Sequence, residues 1–236
     1  MYPQGVCRIR KPAYAGNGCA IFQTFQTAEL AEKIRRSAQT QLCGVAIKIQ
    51  EKTMGYFGVI DTETNWFDQV MSIGAVIGDK ESLRPAAARY YIFPEEAAAG
   101  GMYESVLLLD TPVRPIYASR AEAMADLGGW LTKKAVTSLF AYNAGFDKNH
   151  LPELRDFSWF DIMRIAIYRQ NNPKIPDWAD CFSTGRMKRN YGVEPMLRLL
   201  SGNGDYRETH NALFDALDEL EIIRLLEKPI TDYIPL

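Results

Sequence analysis

Asp61 and Glu63, one residue apart, close the apolar run Gly58-Val59-Ile60, and their types and spacing could do chemistry. Side chains alternate along an extended backbone, so both carboxylates leave the same face. Two carboxylates side by side repel unless a cation sits between them. Acids also end ordinary strands at solvated turns, so the pair alone leaves both readings open. Further candidates lie downstream. Asp147 ends the stretch Ala141-Tyr142-Asn143-Ala144-Gly145-Phe146-Asp147, and His210 and Asp215 lie near the C-terminus.

Elements must position these groups. Aromatic and β-branched residues over Tyr56 to Ile60 predict a buried strand that delivers Asp61 and Glu63 at its end. Val70 to Ile77 and Ala88 to Phe93 read as two more strands, and the short turn at Gly78-Asp79-Lys80-Glu81 makes them antiparallel neighbours. Glu95 to Met102 reads as a loop or a weak helix. Ser119 starts a helix to about Lys134, Val136 to Tyr142 is a fourth strand, and Ala144 to Leu154 is a helix with Asp147 on its first turn. Phe157 to Ile162 is a fifth strand, followed by a helix to about Arg169. Thr209 is the expected cap of a last helix with His210 at its start. Leu213, Ala216, Leu217, Leu220 and Ile223 form the stripe of that helix, and Asp215 falls off the centre, free to face a cleft edge. Three strands in a meander followed by alternating helices and strands predict an α/β domain on one mixed five-stranded sheet.

The 236 residues suffice for one substantial domain with a small appendage. Apolar residues at 47% and charged residues at 24% match a soluble globular protein, and no run reaches the length of a membrane span. Four cysteines, Cys7, Cys19, Cys43 and Cys181, form no CxxC pair, and two histidines leave little for a zinc site. They read as reduced thiols in a cytoplasmic protein without a secretion signal. Residues 1–53 carry eight basic side chains against three acidic ones, a balance of +5, which leaves −7 for the remainder of a chain of net −2. This basic segment is expected to be a β-α-β appendage (strand Cys19–Phe25, helix from Thr27 to about Gln39, strand Val45–Ile49), with residues 54–236 as the main domain. The appendage is a candidate for tracking nucleic acid or docking a partner.

Asp61-x-Glu63, Asn143-x-x-Phe146-Asp147 and His210-x4-Asp215, in this order, resemble the three motifs of the DEDD 3′→5′ exonucleases. The histidine-bearing branch, which contains the proofreading subunit of bacterial replicative polymerase and ribonuclease T, is the similar one. The sister branch has a tyrosine four residues before its last aspartate, where this chain has Asn211. The resemblance covers roughly Met54 to Lys228 and implies a ribonuclease H-like fold. It implies two Mg²⁺ or Mn²⁺ ions per active site, which the oxygen donors also favour over Zn²⁺. By the same resemblance, Asp61 bridges both ions, Glu63 and Asp215 hold the ion that binds the attacking water, Asp147 supports the second, and His210 is the general base.

The implied activity removes nucleoside 5′-monophosphates from the free 3′ end of DNA or RNA, single strands above all. Trp66 and Phe67 are expected to line the terminal-nucleotide pocket or to close the sheet edge, with Thr62, Thr64, Asn65, Asn143 and Phe146 also assigned to substrate. Asp161 in Phe160-Asp161-Ile162 is expected to be structural, and His150 a surface or capping residue. Arg186, Lys188, Arg189 and Tyr191 form a basic aromatic run that could meet phosphates. A non-catalytic nucleic-acid-binding relative and an accessory proofreading subunit are the alternatives. No membrane is expected, and a homodimer or a polymerase or repair partner remains open. The short stretch after the last helix favours a standalone enzyme.

Overall fold

The computed structural model describes residues 55–236. The expected N-terminal appendage, residues 1–53, lies outside the described residues. The meander is present as β1 (Tyr56–Thr64), β2 (Val70–Asp79) and β3 (Pro85–Ile92), followed by a short helix α1 (Pro94–Ala98) and a 3-10 turn at Glu104–Val106. After β4 (Ile116–Tyr117) come α2 (Arg120–Lys133), β5 (Ser138–Ala141), α3 (Gly145–His150), β6 (Ser158–Asp161) and α4 (Met163–Ala166). Two longer helices finish the domain, α5 (Val193–Ser201) and α6 (Ala212–Leu226). The sheet order is β4-β3-β2-β1-β5-β6. β1, β2 and β3 pair antiparallel, whereas β5 joins β1, β6 joins β5 and β4 joins β3 in parallel.

Six strands replace the expected five because the two-residue β4 pairs with the edge of β3. A pair of residues carries no period, so composition could not reveal it. Ser119 caps α2 as foreseen, through a reciprocal capping box with Glu122. The helix expected over Ala144–Leu154 stops at His150, because Pro152 has no N–H to continue it and opens a 3-10 turn instead. The helix expected to reach Arg169 ends at Ala166.

Alternation along β1 divides the core. Phe57 and Val59 belong to the cluster under α5 and α6, whereas Ile60 packs with Leu127 and Leu131 of α2. Asp61 and Glu63 continue the Phe57–Val59 series toward α6, and Thr62 points to the other side. Asp61 pairs with Gly74 of β2. A Cβ at Gly74 would fall inside the van der Waals shell of the Ala212 carbonyl and the Leu213 backbone. The missing side chain lets the first turn of α6 lie directly on the strand that faces Asp61.

Substituting Gly74→Ala therefore forces α6 away from the sheet. Overpacking of this kind costs about 1–3 kcal/mol, and the partner here is backbone, which cannot rotate aside. A lowered urea midpoint is expected; an unchanged midpoint would show that α6 does not rest on this glycine.

Candidate active site

α6 opens differently from the sequence expectation. Asn211, not Thr209, is the N-cap, its side-chain oxygen accepting from the N–H of Leu213 at 3.2 Å. Its amide donates to the carbonyl of Val106 at 2.8 Å and to the hydroxyl of Tyr90 at 3.0 Å. Tyr90 in turn donates to the carbonyl of Leu107 at 3.0 Å. Asn211 is fully buried, so the helix start, β3 and the 104–107 turn are locked together. His210 precedes the cap with φ of +57°, a left-handed conformation that few non-glycine residues adopt. The kink stacks its imidazole on the ring of Tyr103, centroids 4.1 Å apart and planes 17° from parallel.

At the end of β1 the chemistry converges. Glu63, His210 and Asp215 each offer a ligand atom within 4.8 Å of the others. The carboxyls of Glu63 and Asp215 lie close enough to act on each other, and the backbone of His210 acts on Asp215. Asp147 arrives at the sheet end on α3, where the Thr62 hydroxyl donates to its Oδ1 at 2.8 Å. Asp215 was expected at a cleft edge, but it is 3% exposed. The sheet covers α6 on one side and the 103–107 segment crowds its start, so an off-stripe position is still interior.

Burial dominates the electrostatics. It pushes Glu63 up to about 8, with Glu208 adding repulsion, and Asp215 up to about 9, with Glu208 and Glu63 next. Asp147 rises to about 7 through burial, moderated by the Thr62 hydrogen bond. Asp61 is held well above the usual carboxylate range by burial and by Glu219, Asp147, Asp215 and Glu63. All four motif acids therefore feel one another, although the ligand atoms within mutual reach belong to Glu63, His210 and Asp215.

No protein-family model matches the chain, and no curated protein matches it by sequence. Solved structures do. The nuclease domain of 3′hExo, described as a DEDDh family member bound to rAMP, superposes with a TM-score of 0.55 at 13% identity, over 78% of this chain and 98% of that one. A 3′-exonuclease described as recognising the histone mRNA stem-loop superposes at 0.52 with 13% identity, over 89% of this chain and 80% of its own. E. coli exonuclease I in complex with an oligonucleotide follows at 0.50 with 14% identity, over 76% of this chain and only 42% of that protein. The fold is that of the DEDDh exonucleases.

Within that ribonuclease H-like frame the donor set suits hard divalent cations. Asp61 Oδ2 and Asp215 Oδ1 are sealed from solvent and have no hydrogen-bond partner among the described residues. Buried charged oxygens without partners carry a large desolvation cost, which a bound cation removes.

A cleft of about 400 Å³ opens beside Glu63, within the range of small-molecule sites. Thr62, Thr64, Asn65, Trp66, Met102, Tyr103 and Phe146 help to line it. Trp66 is 65% and Phe67 71% exposed, so neither closes the sheet edge, and Phe67 lies outside the lining. Asn65 is buried and spent on its own loop, accepting from the N–H of Phe67 and of Gln69 and donating to the Glu96 carbonyl. Asn143 is exposed at φ +64°, its N–H donating to Asp161 at 3.0 Å. Asp161 also accepts from the N–H of Met163 at 2.9 Å, a turn-capping role that matches the structural expectation. His150 links elements, its ring lying 2.9 Å from the Phe146 carbonyl and 3.0 Å from the Asp68 carboxylate.

Sequence reasoning missed Tyr103, Glu208 and Glu219. Glu219 lies one helical turn beyond Asp215, is 1% exposed, and is the largest charge acting on Asp61. The i, i+4 spacing of Asp215 and Glu219 was the available signal.

The raised acids set a pH test. Glu63 is neutral in the folded metal-free chain up to about pH 8 but ionises near 4.5 when unfolded. The unfolded state then holds fewer protons across that window, so stability falls as pH rises through it. Thermal unfolding in chelator should show the melting temperature dropping between about pH 4.5 and 8, and added Mn²⁺ should reverse the drop at the alkaline end. A profile flat in pH and indifferent to Mn²⁺ would contradict the acid cluster.

Proposed function

We propose that the chain is a metal-dependent 3′→5′ exonuclease that hydrolyses the terminal phosphodiester of DNA or RNA and releases nucleoside 5′-monophosphates. The observation that carries this reading is the grouping of Glu63, His210 and Asp215 within 4.8 Å at the end of β1, beside an open cleft. Asp61, Glu63 and Asp215 would hold divalent cations, with Asp147 supporting them through its place at the sheet end. When bound, Mg²⁺ or Mn²⁺ neutralises charge on the phosphodiester and lowers the pKa of a nearby water.

The remaining steps belong to the chain. His210 takes the proton from the attacking water, its ring steadied by its stack on Tyr103. The left-handed backbone at His210 leaves that ring within reach of Glu63 and Asp215. The leaving 3′ oxygen belongs to the penultimate nucleotide, so the terminal nucleotide must sit in the cleft. Trp66 and Phe146 present exposed rings on its walls. Stacking against such rings tolerates any base and is worth about 1–3 kcal/mol per base. Thr62 contributes indirectly by orienting Asp147.

Digestion of 5′-labelled DNA and RNA strands tests this reading. A ladder of products shortened from the 3′ end, abolished by chelator, is expected. The His210→Ala variant should lose about 10²–10⁴-fold in turnover while still binding Mn²⁺. Equal loss of Mn²⁺ binding would make His210 a ligand instead, and intact strands with the unaltered protein would overturn the enzyme reading.

A further inference from the structure

Between α4 and α5 the chain departs from the charge of its surroundings. Residues 162–191 carry six basic side chains against two acidic ones, a balance of +4, whereas the rest of residues 54–236 carries −11. Part of this segment is a tight hairpin. Cys181 pairs with Met187, the N–H of Phe182 donates to the Arg186 carbonyl at 2.8 Å, and the N–H of Gly185 donates to the Phe182 carbonyl at 2.9 Å. Gly185 makes the turn at φ +81°, where a side chain would be strained. Met187 is buried and pins the hairpin to the core, its N–H donating to the Ile167 carbonyl at 2.9 Å.

With Met187 inward, Arg186 and Lys188 point to the other face. There they meet rings. The Arg186 guanidinium lies 5.1 Å from the centre of Tyr191 and 6.0 Å from that of Phe182, and Lys188 Nζ lies 5.5 Å from Phe182. Arg186 has no carboxylate partner among the described residues. Lys188 has one, Asp180 at 2.9 Å, with both side chains 42% exposed, a surface pair of small energetic weight. Phe182 is 49% exposed. Of the other cations of the segment, Arg169 is committed to the carbonyls of Pro176, Asp177 and Ala179, Lys174 to that of Leu200, and Arg189 pairs with Asp180 at 3.7 Å.

The face adjoins the site. The Tyr142 hydroxyl donates to the Tyr191 carbonyl at 2.6 Å, and Tyr142 directly precedes the Asn143–Asp147 stretch. We propose that the Phe182–Tyr191 hairpin face, with Arg186 at its centre, is a track for single-stranded nucleic acid that holds the nucleotides 5′ of the terminal one. Cations placed near aromatic rings meet phosphates while the rings accept unstacked bases, and a duplex offers no such bases. The proposal rests on the nuclease reading for its direction along the strand, but the binding itself does not.

The full chain and its Arg186→Ala, Phe182→Ala and Arg186→Lys variants should be compared on a dinucleotide and on twelve-residue oligothymidylate and oligouridylate. Arg186→Ala and Phe182→Ala should each raise KM about tenfold on both twelve-mers and leave dinucleotide turnover unchanged. Losing one phosphate contact should flatten the logarithmic salt dependence of twelve-mer affinity by about 0.7, and Arg186→Lys should retain the slope. Equal losses on dinucleotide and twelve-mer, or no loss on either, would overturn the track. If the unaltered protein cleaves nothing, the nuclease reading fails separately. Anisotropy of the labelled twelve-mers in chelator then decides: weaker binding by the variants supports the track, and equal binding or no binding by any form overturns it.

Discussion

The close approach of α6 to β2 at Gly74 governs the rest of the molecule. Helix and strand backbones meet there because there is no side chain to separate them. The same glycine faces Asp61 across the β1–β2 ladder. A helix packed on a sheet normally stands off by the thickness of an interlocked side-chain layer. Removing that layer at one point brings the first turns of α6, and with them Asp215, down to the level of β1. Leucine, isoleucine and alanine farther along α6 then fill the space that opens as helix and sheet diverge.

Such proximity creates an electrostatic problem that the fold does not itself resolve. Asp61, Glu63, Asp147, Asp215 and Glu219 are crowded together, and burial alone lifts each of them above its ordinary range. Some local help is present. Thr62 reaches over from the opposite side of β1 to donate to Asp147, and backbone N–H groups serve Asp147, Asp215 and Glu219. These neutral donors offset only part of the repulsion, and the sealed oxygens of Asp61 and Asp215 receive none of them. Proton uptake or a bound cation is the remaining remedy.

Much of this was legible in the sequence, for physical reasons that differ by element. The meander could be read because β1 to β3 are long apolar strands joined by short polar turns. The pairing of Asp61 with Glu63 could be read because strand period is fixed at two. Asp215 was misjudged because a helical wheel knows one helix and not its neighbours: the stripe located the sheet side, but nothing local revealed that the 103–107 segment would crowd the helix start. The cap was misplaced from Asn211 to Thr209 for a similar reason. Both residue types cap helices, and the choice was made by distant partners, Val106 and Tyr90. Tyr103 carries no signal of its own, since its meaning comes from the ring of His210 more than a hundred residues away.

Glu219 sharpens the distinction between acids that serve the site and acids that merely lie near it. It receives the N–H of Tyr142, and burial and the charge of Asp147 keep its carboxyl well above the usual range. Burial and the neighbouring carboxylates thus disfavour its charged form, and its charge in turn weighs on Asp61. The four motif acids at the end of β1, in α3 and at the start of α6 share that repulsion with it. Glu219 lies one helical turn beyond Asp215 on α6, the helix whose first turn rests on Gly74 opposite Asp61. The Gly74 contact thus brings Asp215 and Glu219 together to the level of Asp61 before any ion or strand arrives.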